Sequence, residues 1–169
     1  VSAEASEADQ IILEEANAWF DEQEPGILVI DSYDGLKLKA QYIEQESKKK
    51  VILAHGFGNT SDDMGKLAKF YFDKGFDILL PDSRGHGESE GDYIGYGWHD
   101  RFDYIDWIKL LIAEHQAVEI ILHGNSMGAA VVLMTSGEEL PKEVKGIIAD
   151  SSYSTVEEEL IHQLKHIYN

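Results

Sequence analysis

The sequence predicts an α/β fold, a mostly parallel sheet with helices on both faces and an antiparallel hairpin at its start. Three observations predict it. VILAH (51–55), FDILLPD (76–82), VEIILH (118–123) and VKGIIAD (144–150) are short and nearly continuous apolar runs, as strands buried on both faces are. Stretches of helical period separate them, the alternation expected of βα units. The polar motifs HGFG, PDSRGHGES and GNSMG occur at the ends of three of these runs, and open α/β sheets bind ligands at the carboxyl ends of their strands.

Each element has its own warrant. Residues 8–21 (ADQIILEEANAWFD) read as an amphipathic helix with Ile12, Glu15, Ala16, Trp19 and Phe20 near one face. ILVID (27–31) and LKLKAQYI (36–43) are strands joined across Asp34-Gly35, a strong hairpin signal. The lysine run 48–50 reads as a solvated turn. After VILAH and a glycine-rich turn comes a helix over about 61–74, ended by Gly75. A helix from about Trp98 to His115 turns Phe102, Ile105, Ile108 and Ile112 inward, another covers 126–136, and one over 155–168 closes the chain.

The bulk numbers bound the class. A chain of 169 residues is enough for one domain with a real core: here an N-terminal helical extension over 1–25 and a core over 26–169. Its 43% hydrophobic content is that of a folded chain. No apolar run is long enough to span a bilayer. A net charge of −18 argues against nucleic acid and anionic membrane surfaces as partners. Without cysteine there is no disulfide, thiolate metal site or cysteine nucleophile. The first residue is Val1, which implies processing or trimming. The compartment stays open between cytoplasmic, the default, and extracytoplasmic.

The chemistry is concentrated in the motifs. Gly124-Asn125-Ser126-Met127-Gly128 fits G-x-S-x-G between a strand and a helix. A serine at so sharp a bend needs small neighbours two residues away on each side, which Gly124 and Gly128 supply, and the helix amino end directs N–H groups at developing negative charge. The plainer reading is a glycine-rich turn with a serine N-cap. His55-Gly56-Phe57-Gly58 is a glycine turn whose backbone can donate to an oxyanion; alone it could be an ordinary strand-ending turn. In the third motif Asp82 and Arg84 are expected to pair and brace the loop, with His86 a weaker candidate for a base.

These motifs, in this order, resemble the α/β-hydrolase superfamily. The YDGLKLKAQYI hairpin (33–43), the DSRGHGESEG loop (82–91) and the YGWHDRFDYIDWI helix (96–108) are similar to bacterial esterases and cell-surface hydrolases near the serine aminopeptidase branch. The resemblance implies a serine hydrolase acting on esters, amides or peptides, with Ser126 as nucleophile and the N–H groups of Phe57 and Met127 as the oxyanion hole. It implies no cofactor and no metal. His55, Gly56, Gly58, Gly124, Asn125 and Gly128 shape the site, and Phe57, Met127 and Tyr153 suggest an apolar acyl pocket. The expected partner is a small acyl substrate.

The family's acid and histidine follow later strands, so the sequence reads as an incomplete α/β-hydrolase domain whose last strands are missing. The exposed sheet edge this leaves predicts a homo-oligomer or a complementing C-terminal segment. Asp150 reads as a strand-end residue bonding to the next turn. His162 and His166 lie opposite the apolar stripe of Val156, Leu160, Leu164 and Ile167, and two such residues alone are no metal site. None of His99, His115 and His123 is a good base. A non-catalytic binding protein built on the same fold is the alternative.

Overall fold

Side chains of successive strand residues point to opposite faces, and this alternation divides the core in two. The computed structural model describes residues 7–153 together with Thr155, Glu157 and Ile161. In chain order the elements are α1 (Glu7–Glu22), β1 (Gly26–Asp31), β2 (Lys37–Ile43), β3 (Lys49–Ala54), a 3-10 turn (Ser61–Met64), α2 (Gly65–Asp73), β4 (Asp77–Pro81), α3 (Asp100–Glu114), β5 (Glu119–Asn125), α4 (Met127–Ser136) and β6 (Val144–Asp150). One layer gathers Ile52, Ala54, Leu79, Ile120 and Leu122 under Trp107, Ile108 and Leu111 of α3 and Val131 and Val132 of α4. The other sets Val51, Leu53, Ile78 and Leu80 under Ala68 and Tyr71 of α2 and Phe20 of α1.

The six strands run in the order β1-β2-β4-β3-β5-β6. β1 and β2 are antiparallel to their neighbours, while β4, β3, β5 and β6 are parallel. From β3 the chain moves to β4 on one side and then to β5 on the other. That reversal opens a crevice at the carboxyl ends of β3 and β5, where HGFG and GNSMG lie. Among the described strands, β6 forms the edge on the side of the serine, pairing with β5 alone, and β1 forms the other. Its outer residues are open, with Ile148 44% exposed.

Four expectations need correction. The lysine run is no solvated turn: Lys49 and Lys50 begin β3, and Lys50 is buried with its Nζ 2.5 Å from Asp77 Oδ2 and 2.9 Å from the Tyr42 hydroxyl. The other oxygen of Asp77 accepts the N–H groups of Gln45 and Ser47 at 2.8 and 3.1 Å. Run composition misleads here because strand alternation sends one lysine inward.

Ile12 is 50% exposed, because α1 packs on α2 through Ala16, Phe20 and the half-buried Trp19, and its earlier turns carry Ile12 past that contact. On α3 the buried stripe is Tyr104, Trp107, Ile108 and Leu111, with Phe102, Ile105 and Ile112 only half-buried. The helix is rotated to bring Asp100 and Asp103 inward, for reasons given below. The helix expected over 61–74 divides into a 3-10 turn and α2. The expected closing helix, with His162 and His166, lies largely outside the described residues. No helix among the described residues is long and apolar enough to cross a membrane.

Removing one member of a buried ion pair leaves the other charge uncompensated, so Asp77→Ala should cost about 3–5 kcal/mol in denaturant unfolding. The double replacement Lys50→Met with Asp77→Asn should recover most of that loss. A single-variant loss within about 0.5 kcal/mol of zero, the range of an ordinary surface change, would show that the pair does not hold the base of β3.

Candidate active site

Ser126 stands between β5 and α4 with φ 54° and ψ −116°, a region that L-residues seldom occupy. Its backbone N–H donates to the Asp150 carbonyl at 2.9 Å, and its own carbonyl accepts the N–H groups of Ala129 and Ala130 at 3.0 and 3.3 Å. The bend is thus fixed from the neighbouring strand and from its own helix. The two glycines are needed for space. A Cβ on Gly124 would collide with the Gly128 carbonyl, and one on Gly128 would collide with the carbonyls of Ala54 and His55. Helix α4 therefore starts in direct backbone contact with the end of β3.

That contact brings the two turns together. A Cβ built on Gly56 would lie 3.4 Å from the Ser126 Cβ and 3.9 Å from its Oγ, so the HGFG turn backs onto the serine. Gly58 adopts φ 74° with open space around it, so the backbone angle is what requires glycine there. The N–H groups of Phe57 and Met127 have no acceptor among the described residues. Each belongs to a turn that adjoins the serine. Asn125 is exposed beside Asp150 and His123.

Buried histidines hold the HGFG turn from behind. His55 is fully buried, and its Nε2 accepts the Ser83 N–H at 3.0 Å, which places its proton on Nδ1, 2.8 Å from the Gly56 carbonyl. Burial lowers its pKa. The His86 ring meets it edge to face at 5.0 Å. His86 Nε2 faces the Gly58 N–H at 3.5 Å, and Nδ1 lies 3.2 Å from the Arg84 carbonyl. Each ring ties the loop after β4 to the turn after β3, which a general base for Ser126 could not do while reaching the serine.

The expected Asp82–Arg84 pair is not formed. The Asp82 carboxylate accepts the N–H groups of Ser61 and Glu88 at 2.8 and 2.9 Å. Arg84, 1% exposed, presents Nε and Nη2 to both oxygens of Asp103 at 2.8 and 2.7 Å, and Nη1 and Nη2 to Asp34 at 2.8 and 3.2 Å. A planar guanidinium can serve two carboxylates as forks, and this is what rotates α3 inward at Asp103. Arg84 holds the Asp34 carboxyl down at about 2. Burial raises Asp103 to about 6 in spite of the same partner. Sequence reasoning missed Asp34 and Asp103, and a single buried arginine facing two distant carboxylates leaves no local pattern to find.

The remaining described histidines are engaged elsewhere. His99 Nδ1 lies 2.7 Å from the Tyr33 hydroxyl and His123 Nδ1 lies 2.9 Å from that of Tyr71. His115 caps the far end of α3, its ring 4.7 Å from that of Tyr42. Asp150 has an exposed carboxylate that accepts the Ser151 hydroxyl at 2.9 Å. None of the described histidines is hydrogen-bonded to Ser126 Oγ. Among the described residues there is no cluster of His, Asp and Glu able to hold a metal ion.

A strand–serine–helix bend at the switch point of this sheet, with a glycine turn against it, defines an α/β-hydrolase. Residues 45–168 match the serine aminopeptidase S33 family (Hydrolase_4), and the chain belongs to that family. The uncharacterized protein YqkD of Bacillus subtilis is 28% identical over 152 residues, 88% of this chain and 50% of its own length. Human monoglyceride lipase is 27% identical over 121 residues, covering 68% of this chain and 39% of its own length. Among solved structures, the Pyrococcus furiosus esterase Pf2001 superposes with a TM-score of 0.77 at 27% identity, over 85% of this chain and 58% of that one. The chain thus spans about half the length of the relatives it matches or less.

The His55 contacts predict a pH dependence. Its folded pKa lies below the ordinary 6.5, so below that pH the unfolded chain binds more protons than the folded one. The stability that wild type holds over His55→Gln should be complete above pH 7. It should shrink as pH falls from 6.5 toward the depressed value. Urea midpoints at pH 7.5, 6.5 and 5.5 measure it, and a difference that grows toward acid would contradict the assigned hydrogen bonds.

Proposed function

We propose that the protein is a serine hydrolase that cleaves carboxylic esters through an acyl-enzyme on Ser126. The observation that carries this reading is the conjunction of the strained serine with two N–H groups, of Phe57 and Met127, that have no acceptor among the described residues and lie on the turns that adjoin it. A strained backbone at a serine that opens a helix is what holds an attacking hydroxyl clear of the sheet. Esters are favoured over amides and peptides because the relatives include a lipase and an esterase.

In this mechanism Ser126 Oγ attacks the acyl carbon and passes its proton to a general base. The carbonyl oxygen becomes an oxyanion held by the Phe57 and Met127 N–H groups, preorganised by the His55 and His86 braces. Collapse of the tetrahedral species expels the alcohol, which takes the proton from the base. Water then attacks the acyl-serine by the same route in reverse and releases the acid and the free hydroxyl. The base and its carboxylate are supplied from outside the described residues. A second reading, a ligand-binding protein that has kept the turn, draws on the fact that no described histidine bonds to Ser126 Oγ.

The experiment is fluorophosphonate labelling of the full-length protein, read by intact mass and peptide mapping, with p-nitrophenyl acetate turnover alongside. A single adduct on Ser126 is expected, with kcat/KM falling by about 10³-fold or more in Ser126→Ala. Turnover unchanged in that variant would refute the serine mechanism. A protein that neither labels nor turns over would favour the binding reading.

A further inference from the structure

We infer that Phe57, Tyr96 and Tyr153 form one aromatic wall beside Ser126 that selects a medium-chain apolar acyl group. The inference rests on the ester-hydrolase reading above and specifies its substrate class. In the sheet, β5 with Ser126 at its end lies between β3 and β6. The turn after β3 carries Phe57, which is 53% exposed. The segment after β6 carries Tyr153. Tyr96, from the long loop before α3, joins the two. Its ring lies parallel to that of Phe57, within 5° and 5.8 Å between centroids, and its carbonyl accepts the Tyr153 hydroxyl at 2.8 Å.

This bridge is built with backbone strain of its own. Tyr96 adopts φ 49°, unusual for a residue with a side chain, and Gly97 follows at φ 97°. Gly97 is seated on the nucleophile's helix, where a Cβ would meet the Val131 N and Cα at 3.2 Å. Its N–H donates to the buried Asp100 carboxylate at 3.1 Å. The loop is therefore anchored on α4, and the conformation of Tyr96 turns its ring toward Phe57 while its carbonyl faces Tyr153.

The chemistry follows from one residue having two parts. A substrate carbonyl held at the Phe57 N–H has its acyl carbon beside the residue that carries the first ring of the wall. The stacked rings bear no charge and offer hydrocarbon to the acyl chain that extends from that carbon. Phe57 and Tyr96 are specificity-determining, and Tyr153 is a positioning residue that acts through the Tyr96 carbonyl. An acetyl group is too short to cover the wall, whereas butanoyl and hexanoyl chains can.

The test is the chain-length profile of kcat/KM for p-nitrophenyl acetate, butyrate and hexanoate in the full-length protein. Wild type should gain up to about fourfold for each methylene buried. Tyr96→Ala should lower the hexanoate-to-acetate ratio by about tenfold, the worth of nearly two such methylenes, and the conservative Tyr153→Phe should lower it part of the way. Parallel losses on all three esters would mark a merely structural role and overturn the inference. So would a wild-type preference for acetate, or a change confined to a series of acetates of increasing alcohol length. If no ester shows Ser126-dependent turnover, the hydrolase reading fails separately. Saturation-transfer NMR with hexanamide then reads the wall alone: weaker binding by Tyr96→Ala supports it, and equal binding overturns it.

Discussion

The site depends on how closely the first turn of α4 approaches the end of β3. Gly128 meets the carbonyls of Ala54 and His55 with no room for a methyl group, and Gly124 meets Gly128 in the same way. A wider approach would separate the serine from the HGFG turn. The turns that carry the N–H groups of Phe57 and Met127 would then no longer adjoin. Sheet topology supplies the crevice at this place, but the missing side chains at these two positions allow its walls to meet.

Behind that contact lies a polar frame that is buried because its groups satisfy one another. His55 and His86 tie the turn after β3 to the loop after β4. Arg84 carries the tension onward to the β1–β2 turn through Asp34 and to α3 through Asp103. Burying a charge is costly unless it is paired and hydrogen-bonded, and Arg84 meets that condition with two forked carboxylates. The outcome is a loop of irregular backbone tied by side-chain hydrogen bonds to the turn after β3, to the β1–β2 turn and to α3. At the opposite end of β3, Lys50 and Asp77 secure the base of the sheet by the same kind of pairing.

Much of this was legible in the sequence because it is local. Continuous apolar runs gave the parallel strands, and VKGIIAD proved to be β6 from Val144 to Asp150 without adjustment. Gly124 and Gly128 announced the bend because their spacing falls between an apolar strand and a helix. What the sequence concealed was long-range. Lys50 looked solvated because its partner Asp77 lies on another strand. Asp82 looked like the partner of Arg84 because it is near in sequence, while Asp34 and Asp103 are about 50 and 19 positions away. The inward turn of α3 was hidden for the same reason, since charged residues occupy part of its buried face.

The serine bend also has a meaning for how such a site can change over evolutionary time. Its steric demands fall on positions 124 and 128, and none of the collisions that define it involves the side chain at position 126. The bend is a socket that fixes where the side chain at position 126 stands without fixing which side chain it is. Any side chain small enough to fit beside Gly56 inherits the same placement and the same neighbouring N–H groups. A lineage built on this backbone is therefore held far more tightly at the two glycines than at the residue they frame.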